Sequence, residues 1–145
     1  MQKLLMSIIA ILLLSCNEKA DTTQKIEAKT RIATTPLEKS VDRGREIYKE
    51  LCITCHMGNG KGVPGSFPPL NPSDWLTQRR SESIHAVKNG LRGEIQVNGA
   101  TYNNIMLPLG LDNEEVADVM NYTIQTWNKG EMVTVEEVAA ATVIQ

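Results

Sequence analysis

Apolar residues recur at helical spacing in two long stretches of the sequence. In TPLEKSVDRGREIYKELCITCH, Val41, Ile47, Tyr48 and Leu51 fall on one face of a 3.6-residue period. Thr35, Pro36 and Glu38 match a capping box with proline at the first helical position, and Ser40 offers a later alternative start. In LDNEEVADVMNYTIQTWNKG, Val116, Val119, Met120, Thr123 and Trp127 line a face, Asp112 and Glu115 form the capping pair, and Gly130 ends the helix. A shorter helix is predicted over SESIHAVKNG, with Ser81 as N-cap and Gly90 as its stop. Alternating Ile95 and Val97 then lead into Asn98-Gly99, a strong hairpin signal. Between the first two helical segments, GNGKGVPGSFPPLNPSD is too rich in Gly and Pro for anything but loop. The pattern is that of an all-α domain with one small hairpin. Gly44, inside the first helix, costs about 1 kcal/mol relative to alanine. Either another element approaches closely there, or the position is a tolerated surface glycine.

The ends of the chain have a different texture. MQKLLMSIIAILLLSC places Lys3 before an apolar run from Leu4 to Leu14, followed by Ser15 and Cys16. The run is well short of the roughly 20 residues a membrane-spanning helix needs, so it reads as an export signal. LLSC resembles the lipobox of bacterial lipoproteins, which implies cleavage before Cys16 and lipid attachment to it. Residues 17–35 mix charges of both signs with many Thr and no aromatic residue, the composition of a flexible tether. The chain thus divides into a signal peptide (1–15), a tether (16–35), a folded domain (36–130) and a C-terminal extension (131–145).

Composition sharpens this picture. Of 145 residues, 41% are hydrophobic and only 4% aromatic, so an aliphatic core of this size is thin unless a large apolar body fills its centre. A formal charge of -2 gives no footprint for nucleic acid and no basic membrane-binding face.

The candidate body is indicated by Cys52, Cys55 and His56, spaced C-x-x-C-H. Two cysteines three apart on a helical turn point to one side and can reach one edge of a haem, with the following histidine turned toward the iron. A structural zinc site needs a fourth ligand, and the chain has no second cysteine pair or histidine cluster. An iron–sulfur cluster wants four cysteines, and the chain has three, one of them Cys16. A thioredoxin-type site belongs in a βαβ pattern, which is absent. A simple disulfide is the remaining alternative. The export signal and the haem-attachment motif support each other.

From about Val41 to Gly130 the sequence resembles the class I mono-haem c-type cytochromes. The likeness rests on RGREIYKELCITCH, GKGVPGSFPPL, VNGATYNNIMLPLG and EEVADVMNYTIQTW, in that order. It implies the cytochrome c fold, with N- and C-terminal helices crossing over covalently bound haem c, one per chain, and the hairpin near the distal loop. It also implies that Gly44 meets Tyr122, that the Pro68 carbonyl binds the outer nitrogen of His56, with Pro69 as the alternative, and that Leu70 packs on the ring. The second axial ligand has four candidate sulfurs. Met57 is too near His56, Met120 lies on the core face of a helix, Met132 falls beyond the last predicted helix, and Met106 precedes Leu107-Pro108 in an irregular loop. The family's Met-Pro loop points to Met106, although here Leu107 intervenes. His85 is the alternative, giving a bis-histidine site.

The expected pocket is built from Leu51, Phe67, Leu70, Ile105, Leu107 and Trp75, with Lys49, Lys61, Lys88 and Arg92 as a docking rim. The implied function is single-electron transfer rather than enzymatic turnover, between a redox protein donor and acceptor. The carrier is expected on the periplasmic side of a bacterial membrane, held through lipidated Cys16, as a monomer or a subunit of a respiratory complex. A fixed relay subunit of an oxidase or reductase, and a ligand-binding haem sensor or peroxidase, are the alternatives.

Overall fold

The structure, a computed structural model, describes residues 35–141; the signal segment, Cys16 and nearly all of the tether lie outside the described residues. The first helix, α1 (Pro36–Ile47), begins as its capping box dictates. Glu38 N donates to Thr35 Oγ1 at 3.1 Å, and Thr35 N donates to Glu38 Oε2 at 2.6 Å. It does not continue as one regular helix. A π-helical turn, Tyr48–Cys52, intervenes before a last α-helical turn, α2 (Ile53–His56), which Met57 ends at φ 63°. Such turns insert a residue and rotate the helix downstream of them, and they concentrate at functional sites. Leu51, placed on the apolar face by strict periodicity, is accordingly 42% exposed.

Two short helices come next. α3 (Asp74–Gln78), unforeseen in the sequence, is capped by Ser73, and α4 (Arg80–Asn89) starts after the single non-helical residue Arg79. Ser81 is therefore not the N-cap. It lies inside α4, because α3 runs almost directly into α4 and leaves no room for a separate capped start. Gly90 closes α4 as expected. Strands β1 (Ile95–Val97) and β2 (Ala100–Tyr102) pair antiparallel with Val97 opposite Ala100. Asn98 and Gly99 both take positive φ, the requirement of a tight hairpin turn. The Asn98 side chain ties this turn to Asp74 N and the Pro72 carbonyl.

α5 (Asn113–Trp127) crosses α1 at Gly44. A Cβ at Gly44 would overlap the Asp118 carbonyl and stand 2.9 Å from Tyr122 Cβ, so the absent side chain is what lets the backbones touch. Below the crossing, Tyr48, Tyr122 and Trp127 form a three-ring cluster with centroids 5.1–5.4 Å apart. Above it, Asp118 is buried and accepts from Ser40 Oγ (2.6 Å) and, in a fork, from Arg43 Nε (2.5 Å) and Nη2 (2.7 Å). These pairings supply the partners that a buried carboxylate requires.

The segment after Gly130 joins the core rather than trailing from it. Val133 and Val138 are fully buried with Ile84, Val116, Met120 and Ile124. Asn121 exchanges hydrogen bonds with both backbone groups of Val133, and a further helix, α6 (Val135–Ala140), packs on α5. Met132 thus lies before the last helix, not beyond it. Arg80 reaches Glu137 through two hydrogen bonds and the Met132 carbonyl at 2.8 Å, and Lys88 Nζ donates to the Val138 carbonyl at 3.0 Å. Val138→Ala removes two buried methyl groups, and its expected cost is about 2 kcal/mol in urea unfolding of the holoprotein. A loss near zero would mean that α6 is not part of the cooperative unit.

Candidate functional site

The π turn and α2 bring Cys52, Cys55 and His56 to the wall of a hollow in the fold. Both cysteines are free thiols. One part of the hollow is a narrow cleft of about 80 Å³ lined by Cys52, His56, Pro68, Leu70, Trp75 and Met106, with Met120 and Val97 among the deeper walls. A second recess, of about 70 Å³, is lined by Cys55, Phe67, Tyr102 and Ile105. His56, Pro68, Leu91, Ile95 and Met106 line both, so they stand where the two parts meet.

Two expected wall residues are not there. Leu51 and Leu107 line neither recess; they are 42% and 62% exposed. The π turn rotates Leu51 outward, and the inserted Leu107 points to solvent while Leu109 takes an inner position. Met106 keeps its place because its backbone is locked to Leu91. Leu91 N donates to Met106 O (2.8 Å) and Met106 N to Leu91 O (3.0 Å). Neighbouring Gly90, at φ 82°, lets this pair approach, since a Cβ there would stand 2.6 Å from the Met106 carbonyl oxygen. The remaining candidates lie elsewhere or are otherwise engaged. His85 lines neither recess and contacts Asn89 at 3.0 Å, Met57 and Met132 are exposed, and Met120 is 1% exposed in the core.

His56 Nδ1 lies 3.0 Å from the carbonyl oxygen of Pro68 rather than Pro69. A neutral ring donating from Nδ1 leaves Nε2 with its lone pair available. Burial lowers the His56 pKa, only partly opposed by the Pro68 carbonyl, so the neutral form is favoured. Burial, with a smaller contribution from Cys55, pushes the Cys52 thiol up to about 11. That is the reverse of the lowered thiol pKa on which thioredoxin-type redox pairs depend. Among the described residues, no three His, Cys, Asp or Glu side chains gather as a metal site, which removes the zinc alternative there.

The proposed rim is also altered. Lys88 is committed to α6 through Val138, and Lys49 pairs with Glu46 at 2.8 Å. Missing from the sequence reading were Ser73, Ser83 and Thr123, polar residues in the wall whose hydroxyls are satisfied by the local backbone. Ser73 reads as a loop residue and Ser83 and Thr123 as ordinary helix positions, and no sequence signal singles them out. Arg79 over the Trp75 ring, 5.3 Å from its centroid, was equally unforeseen.

The wall of the hollow is mainly apolar. Its donors suit a planar iron cofactor: two free thiols, a neutral imidazole and a thioether. Residues 41–127 match the cytochrome c family model, and the chain belongs to that family. It is therefore a class I c-type cytochrome, an electron carrier with covalently bound haem c. It is 37% identical over 95 residues to cytochrome c-552 of Thermus thermophilus, covering 62% of this chain and 72% of that protein. A second cytochrome c-552 of the same species matches at the same identity over 64% of its length. The cytochrome c subunit of the quinone alcohol dehydrogenase of Gluconobacter oxydans is 32% identical over 89 residues, 58% of this chain but 18% of that subunit.

Proposed function

We propose that this chain is a membrane-tethered, periplasmic mono-haem cytochrome c whose iron is held by His56 and Met106. The observation that carries the ligand assignment is that both residues stand at the junction of the two recesses, with His56 Nδ1 held by the Pro68 carbonyl. Cys52 and Cys55 hold the haem through thioether links. When bound, the haem supplies a one-electron ferric–ferrous couple. The work of the polypeptide is to tune and protect it. The Met106 sulfur favours the ferrous form and raises the potential relative to a second histidine. Leu70, Trp75 and the deeper aliphatic walls exclude water and disfavour the extra charge of the ferric form.

Optical spectra before and after carbon monoxide test this reading. The expected result is a sharp c-type band on reduction, a ferric sulfur-to-iron band and no response to carbon monoxide. Carbon monoxide binding to the unmodified protein would favour the sensor or peroxidase alternative.

Anchoring rests on LLSC, since no helix among the described residues is long and apolar enough to cross a membrane. Cys16→Ser should move the protein from the membrane to the soluble fraction and abolish the lipid mass on the mature N-terminus. Retention of the variant in the membrane would refute the lipid anchor. A fixed subunit role draws weak support from the likeness to the dehydrogenase cytochrome subunit. Co-purification with stoichiometric partners would favour it over a free shuttle.

A further inference from the structure

The loop that carries Pro68 is gripped by the end of α5. It turns back on itself through main-chain bonds: Gly62 N donates to the His56 carbonyl (3.0 Å), and Leu70 N and Asn71 N donate to the Gly60 carbonyl (2.7 and 3.0 Å). The Trp127 ring closes on Gly60, where a Cβ would stand 2.8 Å from it. Asn128, the C-cap of α5, holds the loop on both sides of Asn71-Pro72. Its Oδ1 accepts from Ser73 N at 2.9 Å, and its Nδ2 donates to the Leu70 carbonyl at 2.9 Å and the Thr123 carbonyl at 3.1 Å. Ser73 is 2% exposed, so its N–H needs a partner. A primary amide supplies the one acceptor and two donors that these bonds require, and the three partners fix which way it points.

We propose that Asn128 is a positioning residue for the iron-bound imidazole. By fixing Leu70 it fixes the carbonyl of Pro68, two residues away, which faces His56 Nδ1 at 3.0 Å. This rests on the haem site proposed above and adds a residue that lines neither recess. A firm bond from Nδ1–H to a carbonyl makes the imidazole a stronger donor to iron and favours the ferric form, so a looser bond lets the reduction potential rise. Capping of α5 does not account for the arrangement. The main chain of Asn128 already donates to the Ile124 carbonyl at 2.9 Å, and that bond needs no side chain. The bonds to Leu70 and Ser73 serve the loop instead.

The test compares three variants of the holoprotein. Asn128→Leu keeps most of the bulk and removes the polar atoms. Asn128→Asp keeps an acceptor for Ser73 N but has no donor for Leu70 at neutral pH. Val138→Ala lowers stability from a buried site outside the loop. The His56 Nδ1–H proton, followed by NMR in the reduced protein, should exchange with water about tenfold faster in both Asn128 variants, the change in local opening expected from one or two lost hydrogen bonds. In Val138→Ala it should stay within about twofold of wild type. Voltammetry of Asn128→Leu should show a raised potential. Asn128→Asp brings a charge of its own, so it is read by exchange alone, and it carries the test if Asn128→Leu fails to mature.

Exchange within about twofold of wild type in the Asn128 variants overturns the proposal. So does a fall in potential in Asn128→Leu, which would mean water entering past a weakened wall rather than a loosened His56 bond. Equal acceleration in Val138→Ala also overturns it, because the effect would then follow overall stability. A wild type without a c-type spectrum would overturn the haem reading, and this inference with it, before any variant is compared.

Discussion

Met106→Ala is expected to yield a haem protein that binds carbon monoxide, lacks the ferric sulfur-to-iron band and has a markedly lower reduction potential. The thioether is the softer axial donor and favours ferrous iron, so its loss should lower the potential by on the order of a hundred millivolts or more. The backbone at this position should survive the change, because the Leu91–Met106 pair is made by main-chain groups alone. Voltammetry and carbon monoxide titration of the purified variant measure both effects. Met132→Ala, at an exposed position outside the hollow, is the control and should change neither. An unaltered spectrum in Met106→Ala would pass the axial role to another residue, with Met120 the other methionine in the cavity wall.

Gly44→Ala should be among the most damaging single substitutions in the domain. A methyl group there meets the backbone carbonyl of Asp118, which cannot rotate away as the tip of a flexible side chain could. The helices must separate, and two features go with them: the Asp118 bonds to Ser40 and Arg43, and the Tyr48–Tyr122 contact. Overpacking of this kind typically costs about 1–3 kcal/mol, and a backbone clash puts the expected value at about 3 kcal/mol or more. Guanidinium unfolding of the holoprotein gives the number. Gly58→Ala, whose added methyl would lie 3.5 Å from Ile53 Cδ1, is the companion measurement and should stay within about 0.5 kcal/mol of wild type. Equal losses in the two variants would remove the close crossing as the reason for a glycine at position 44.

Local rules accounted for much of this architecture. The capping boxes at Thr35 and Asp112, the stop at Gly90 and the hairpin turn at Asn98-Gly99 depend on residues within a few positions of one another, and all four form as read. Ser81 shows the limit of that reasoning. Its sequence is a good cap, but whether a helix begins there depends on α3, which no strong periodicity announced. Likewise, periodicity assigned Leu51 inward because it assumes 3.6 residues per turn throughout, and the π turn that ends at Cys52 breaks that assumption. The extension after Gly130 carried no distinctive signal. Its place in the core comes from Val133, Val138 and Glu137 meeting residues 12 to more than 50 positions away.

The sequence alone determined the attachment motif and the helices that frame it, and it singled out Met106 as the candidate second ligand, because each is written in short-range spacing or in the family likeness. Tertiary structure alone decided between the Pro68 and Pro69 carbonyls at His56, how closely the backbone of Asp118 passes Gly44, which leucines turn outward and which lysines are already engaged. Those facts depend on long-range packing, where a residue's surroundings are supplied by distant parts of the chain and cannot be read from its neighbours.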